Sequence, residues 1–257
     1  MSVAWLEPDW PAPATVRALS TWRGGGVSAA PYESLNLGGH VGDAQGEVAE
    51  NRRRLAAAAG LPAEPVWLAQ IHGTTVADLE AIHRARDAAA RDTAGSVGPA
   101  DAAFARRPGQ VCAILTADCL PLLLAAESGD LVGAAHAGWR GLAAGVVEAT
   151  VRAMAAPPQR LLAWLGPAIG PAHFEVGPEV REALLTGDSG AEAAFMANAR
   201  GRFMADLAAL VRRRLEALGV TRIYGGGECT FAAADRYFSH RRDGVTGRQA
   251  TLIWLAT

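Results

Sequence analysis

Three cysteines in 257 residues, Cys112, Cys119 and Cys229, are too few and too odd in number for a disulfide framework. A reducing compartment follows, with thiols free to act as ligand or nucleophile or to pack as small hydrophobes. There is no excess of charge either. The 24 Lys and Arg against 26 Asp and Glu leave a formal net charge of -2 and a pI near 6.3, so no long-range field gathers nucleic acid or an anionic bilayer. No apolar run approaches the roughly 18 residues that span a membrane, and the opening MSVAWLEPDWPAPATVRALS lacks a charged n-region followed by an apolar h-region. A cytoplasmic protein with neither nucleic acid nor membrane as partner is expected. No low-complexity linker divides the chain, and half its residues are hydrophobic, ample for one continuous core. We expect one α+β domain over residues 1–257, with mixed β-sheets flanked by helices.

The stretch VCAILTADCLPLLLAAESGDLVGAAHAGWRGLAAGVVE is the most informative part of the chain. Residues 111–116 and 131–135 are short apolar runs bounded by turn formers, as buried strands are, and each ends on reactive chemistry. Asp118 and Cys119 follow the first; His136 and the turn AGWRG follow the second, before an Ala-rich helix is expected over 142–154. A strand, a Gly-containing turn and a helix would set backbone N–H groups at a helix N-terminus, which suits an anion. Residues 65–76 repeat the pattern, reading as a strand that breaks at Gly73 directly after His72.

Elsewhere, strands are expected over 16–22, 160–165, 223–224 and 250–255, and helices over 47–59, 79–91, 178–185 and 203–218. Glycine-punctuated loops fall at 23–26 and 32–43, and residues 92–99 form a loop that would face substrate.

His72, Cys119 and His136, each at a strand end, supply three N/S ligands with no fourth protein ligand, the pattern of a catalytic zinc site with an open position. Long-range triplets of His and Cys also arise by chance. For His40, His83, His173 and His240 an ordinary surface or hydrogen-bonded histidine is the simpler reading. Cys112 reads as packed in its strand, and Cys229 as a supporting or a buried thiol.

The ordered motifs LNLGGHVGD, NRRRL, QIHGTTV, TADCLPLLL, AAHAGWRGL, WLGPAIGPAHFEVG and SHRRDGVTGRQATLIWL resemble those of the YfiH-type, laccase-domain proteins. These were long labelled polyphenol oxidases and are now regarded as purine nucleoside phosphorylases; the resemblance runs from about Asn36 to Leu255. It implies a zinc or copper ion held by the histidine of QIHG, the cysteine of ADCLP and the histidine of HAGWRG, here His72, Cys119 and His136. His240 stands where many relatives have tyrosine, and His173 has no counterpart in the motif.

The activity implied is phosphorolysis of adenosine, inosine or methylthioadenosine to free base and ribose 1-phosphate, with adenosine deamination as a side reaction. Phosphate must then sit near the ribose C1′. Arg52 and Arg140 are the phosphate candidates, with Arg241 and Arg242 behind them, although arginines in structural ion pairs look the same in sequence. Asp118 is placed to orient a ligand or act as acid or base. A second class uses the same residues: an amidase with Cys119 as nucleophile and His136 as base, editing UDP-MurNAc-amino acid precursors of peptidoglycan, to which the family has been linked. Copper polyphenol oxidation is the weakest reading, because six scattered histidines do not furnish a multicopper centre. Nucleoside and phosphate are the expected small-molecule partners, and a homodimer is compatible with the sequence.

Overall fold

The computed structural model describes residues 2–89 and 98–256. In chain order the first half contains β1 (Trp5–Leu6), β2 (Val16–Thr21), α1 (Gln45–Ala59), β3 (Val66–Trp67), β4 (Val76–Asp78), α2 (Leu79–Ala89), β5 (Ala102–Ala105), β6 (Val111–Thr116), β7 (Leu120–Ala126) and β8 (Val132–Ala137). The second half contains α3 (Trp139–Ala144), α4 (Val146–Met154), β9 (Leu161–Leu165), β10 (Glu175–Val176), α5 (Pro178–Leu185), β11 (Phe195–Ala197), β12 (Phe203–Ala205), α6 (Leu207–Ala217), β13 (Arg222–Gly225), α7 (His240–Asp243) and β14 (Gln249–Leu255). The substrate-facing loop expected over 92–99 lies for the most part outside the described residues.

Two mixed sheets carry the architecture: a five-stranded one ordered β1-β2-β14-β6-β3 and a six-stranded one ordered β13-β9-β7-β8-β5-β4. The pairs β3/β6, β4/β5 and β13/β9 are parallel and the other ladders of these sheets antiparallel. Side-chain alternation along the strands builds the layers. On β6, Cys112 and Ile114 join Leu123 and Ala125 of β7, Val132 and Ala134 of β8 and Ile253 of β14 in a core between the sheets. Val111, Ala113 and Leu115 face the other way, onto Leu55 of α1 and Leu35 and Leu37 of the loop before it. Leu120, Leu122 and Leu124 pack outward against Leu142, Val146 and Val147 of α3 and α4 and Leu207, Leu210 and Val211 of α6. The expected α+β class is observed, as a helix, two stacked sheets and a helical layer. No helix among the described residues is long and apolar enough to cross a membrane.

Several elements differ from expectation for local reasons. Strand β7 went unforeseen because Pro121 stands in it; the proline is accommodated because β9 pairs only from Leu122 onward, leaving at that edge a bond from the Gly166 N–H to the Pro121 carbonyl. The expected helix over 142–154 is two helices broken at Gly145, whose φ of 95° is left-handed. The expected helix over 203–218 begins only at Leu207, where the Asp206 side chain caps the Ala209 N–H, and Phe203–Ala205 pairs as a strand. The strand expected over 65–76 is only the two-residue β3, with His72 in the loop between it and β4, which starts at Val76.

Leu123 is fully buried between the sheets. Leu123→Ala should lower unfolding free energy by about 2 to 5 kcal/mol in denaturant titration, the ordinary range for a core leucine.

Candidate metal centre

The site forms where the layer between the sheets opens, near the end of β6, the start of β7 and the end of β8. His136 is the penultimate residue of β8 and is buried; Cys119 immediately precedes β7; His72 lies on the loop between β3 and β4. Their ligand atoms all lie within 4.8 Å of one another. The Cys119 Sγ stands 3.8 Å from His72 Nε2, and the two imidazoles meet edge to face at 4.7 Å between centroids. Ligand bonds of about 2.0 to 2.3 Å to one ion need only small rotations from such spacing. Gly138 makes the convergence possible: a Cβ there would lie 2.8 Å from Cys119 Sγ and 3.1 Å from the His72 ring. The first glycine of HAGWRG thus leaves room for the ligands. The order of strand, turn and helix expected there is observed, with Gly138 as the N-cap of α3, a helix of six residues.

A residue absent from the sequence-based candidates organises the triad. Asp101 is fully buried. Its Oδ1 accepts from His136 Nδ1 at 2.9 Å and from the His72 N–H at 2.8 Å, and its Oδ2 accepts from the N–H groups of Gly73 at 2.7 Å and Ile71 at 3.1 Å. Its carbonyl accepts the His136 N–H. The carboxylate therefore holds the Nδ1 proton of His136, turns Nε2 toward the ion position, and wraps the His72 loop around itself. Burial alone would raise its pKa, but the bonds from His136, Gly73 and Ile71 outweigh that and hold it below the ordinary carboxylate value. Gln70 ties the same loop to β6, its side chain bonding both N–H and carbonyl of Leu115. So fixed, His72 adopts a φ of 62°, in the left-handed region that a non-glycine residue occupies only when its surroundings require it.

Burial opposes ionisation of Cys119, but the charge of His136 and hydrogen bonds from His136 and His72 prevail and bring the thiol down to about 6. His136 is raised correspondingly by Cys119 and Asp101 against its own burial. Cys112, packed between the sheets, is pushed far up by burial alone. The thiol seven positions along the chain from the ligand is inert for lack of any partner.

The remaining candidates are distributed unequally. A cavity of about 300 Å³ beside the triad is lined by His40, Gln70, His72, Leu115, Thr116, Ala117, Cys119, His136, Arg140, His240 and Arg248. Arg140 is therefore in the wall, its guanidinium 4.3 Å over the Trp139 ring. Arg52 is not; its Nε and Nη2 donate to the Leu37 carbonyl, and it stacks on Trp67. Asp118, at φ 96°, accepts from the Thr230 hydroxyl and the Arg241 N–H, bonds that fix the backbone entering Cys119 and leave the carboxylate outside the cavity wall. Arg242 donates to the carbonyls of Thr230, Phe231 and Tyr237, and the Arg241 side chain to the Glu175 carbonyl. His40 and His240, expected to be ordinary surface histidines, line the cavity; His173 stacks on Phe231, and Cys229 accepts from the Gly170 N–H. Arg248 was unmarked in sequence because TGRQA has no feature that separates it from any exposed arginine.

Fold and site together define an α+β protein with a His-Cys-His group that could hold a metal ion at a cavity. The family profile described as multi-copper polyphenol oxidoreductase laccase matches residues 17–256, and the chain belongs to that family. It is 53% identical over 253 residues, 98% of each chain, to a Pseudomonas aeruginosa protein named purine nucleoside phosphorylase. It is 50% identical over 250 residues, 97% of this chain and 98% of the relative, to purine nucleoside phosphorylase YfiH of Escherichia coli. Among solved structures, a Neisseria meningitidis protein superposes with a TM-score of 0.89 at 47% identity, covering 98% of this chain and 99% of that one. YlmD from Geobacillus stearothermophilus superposes at 0.87 with 34% identity, covering 98% and 96%.

Asp101→Asn should weaken metal affinity by roughly 10- to 100-fold in chelator competition, the usual cost of losing a carboxylate behind a ligating histidine. In metal-stripped protein the alkylation rate of Cys119, followed by mass spectrometry, should rise as pH climbs through about 6 and level off above it, since only the thiolate attacks. Cys112 should stay unmodified at neutral pH, and metal should protect Cys119.

Proposed function

We propose that this protein is a metal-dependent purine nucleoside phosphorylase of the cytoplasm, acting on adenosine, inosine or methylthioadenosine. The observation that carries the reading is that one cavity is lined both by Arg140 and by three side chains that could hold a metal, and relatives about half identical to the chain bear the phosphorylase name. His72, Cys119 and His136 would hold the ion, zinc or copper, which when bound supplies Lewis-acid stabilisation of developing negative charge.

In phosphorolysis a phosphate oxygen forms a bond to C1′ as the glycosidic C1′–N9 bond breaks, the electron pair passes to the purine, and the base takes up a proton. The chain's own groups meet the requirements in turn. Arg140 contributes positive charge for phosphate and the cavity walls limit water around an oxocarbenium-like ribose. Asp101 fixes the orientation of His136 so that the ligand face is in place before substrate arrives. Adenosine deamination, with water in and ammonia out, is the side activity assigned to the same cavity.

The depressed Cys119 thiol beside His136 also meets the needs of a thiol amidase, the alternative activity of the same residues. Purified protein incubated with inosine, adenosine and methylthioadenosine should release base only when phosphate is present, with one sugar 1-phosphate per base by chromatography. Cys119→Ala should lose bound metal and activity together, while Cys112→Ala keeps both. Base release without phosphate, or turnover of amide substrates through a covalent Cys119 adduct, would replace phosphorolysis with the alternative.

A further inference from the structure

The cavity wall contains one arginine whose placement is more elaborate than a surface cation requires. Arg248 lies one residue before β14 and is half-buried. Its N–H donates to Asn36 Oδ1 at 2.9 Å and its carbonyl accepts from the Leu37 N–H at 3.0 Å, stitching the end of the chain to the LNLGGH loop. Its stem lies across bare backbone: a Cβ at Gly38 would stand 2.8 Å from Arg248 Cγ. Asn36 is held in turn by Asp43 and by the carboxamide of Asn51, both asparagines being fully buried. The loop that presents His40 and the residue that presents the guanidinium are thus one rigid assembly.

The guanidinium is only half used. Nη1 donates to the carbonyls of Thr246 and Gly247 at 2.9 Å each; among the described residues Nε and Nη2 have no hydrogen-bond partner and no carboxylate pairs with the group. A structural brace needs the Nη1 bonds alone. The charges of Cys119 and Asp118 act on Arg248 without a direct hydrogen bond, so the free Nε–Nη2 edge remains a two-pronged donor that matches two oxygens of a phosphate. His40 and Arg140 stand in the same wall, so the anion would meet cationic or donor groups from three separate segments.

We propose that Arg248 anchors an oxyanion subsite, its Nε–Nη2 edge receiving two oxygens of inorganic phosphate beside His40, with Arg140 closing over the anion from the mouth of the cavity. The proposal rests on the phosphorolysis reading for its ligand and names the group that holds the nucleophile, a role the sequence reading gave to Arg52 and Arg140.

The test uses metal-loaded protein and two readouts: inorganic phosphate titrated calorimetrically without nucleoside, and initial rates against phosphate at saturating inosine. Arg248→Met should raise the phosphate Kd and KM by roughly 10- to 1000-fold, at 1.4 kcal/mol per factor of ten for the loss of two charge-assisted bonds, with inosine KM and metal content unchanged. Arg248→Lys, which keeps the stem on Gly38 and the charge but not the fork, should fall between, and serves as the folded control. Phosphate affinity unchanged in Arg248→Met, or wild-type affinity in Arg248→Lys, overturns the two-pronged contact. If base release needs phosphate but Arg248→Met leaves its KM alone, the subsite is wrong and phosphorolysis stands. If base release ignores phosphate while the ion still binds through Arg248, the subsite stands and phosphorolysis fails.

Discussion

Everything about the centre depends on one buried carboxylate accepting four hydrogen bonds. An isolated ionised acid in an apolar interior is strongly unfavourable, and Asp101 is tolerated because each of its oxygens is satisfied by a donor from a segment that must be positioned anyway. Three of those donors are backbone N–H groups of consecutive residues, so the acid sets the conformation of the QIHG loop as well as the tautomer of His136. Two ligands from different segments are made to converge by one side chain. A neutral replacement of the same size would leave the fold intact while loosening both, which is why the loss falls on metal affinity before stability.

The layered fold explains why the reactive groups gather at one edge. Alternation along β6, β7 and β8 fills the space between the sheets with Ile114, Leu123 and Val132, and the hydroxyls buried opposite them on β2 and β14, Ser20 and Thr251, satisfy each other. There His136 takes the last inward position of its strand, Cys119 enters at the start of the next, and Thr116 and Leu115 floor the cavity. The contrast between Cys112 and Cys119 follows from the same geometry: one thiol sits inside the layer and is held protonated, the other sits at its open end among imidazoles and ionises readily.

The three side chains that converge, His72, Cys119 and His136, were legible in sequence because each is a rare residue type next to a turn, and strand β6 and helix α5 match expectation residue for residue. Asp101 was not, since a single acid opening the run DAAFA looks like a turn residue until the loop it binds is in place. Strand β7 was hidden by Pro121, whose tolerance depends on where β9 stops pairing. Arg52 and Arg248 exchange places in the reading for a tertiary reason: the first is drawn behind the LNLGG loop by the Leu37 carbonyl, the second is brought to the cavity by Asn36 and Gly38. Charge is visible in a sequence, but whether a guanidinium is already satisfied is a property of the packed chain.

The donor set also bears on what the family's copper description means for this chain. Two histidines and a cysteine are the equatorial ligands of an electron-transfer copper site, but such a site is completed by a weak axial thioether, amide or carbonyl and closed to substrate. Here no methionine lines the cavity, and the one amide that does, Gln70, has both side-chain polar atoms tied to Leu115. The three side chains that would hold an ion line the same cavity as Arg140 and Arg248, and an ion held there would leave room for a substrate beside it. Among the described residues this is also the one group of three or more His, Cys, Asp or Glu that could hold a metal.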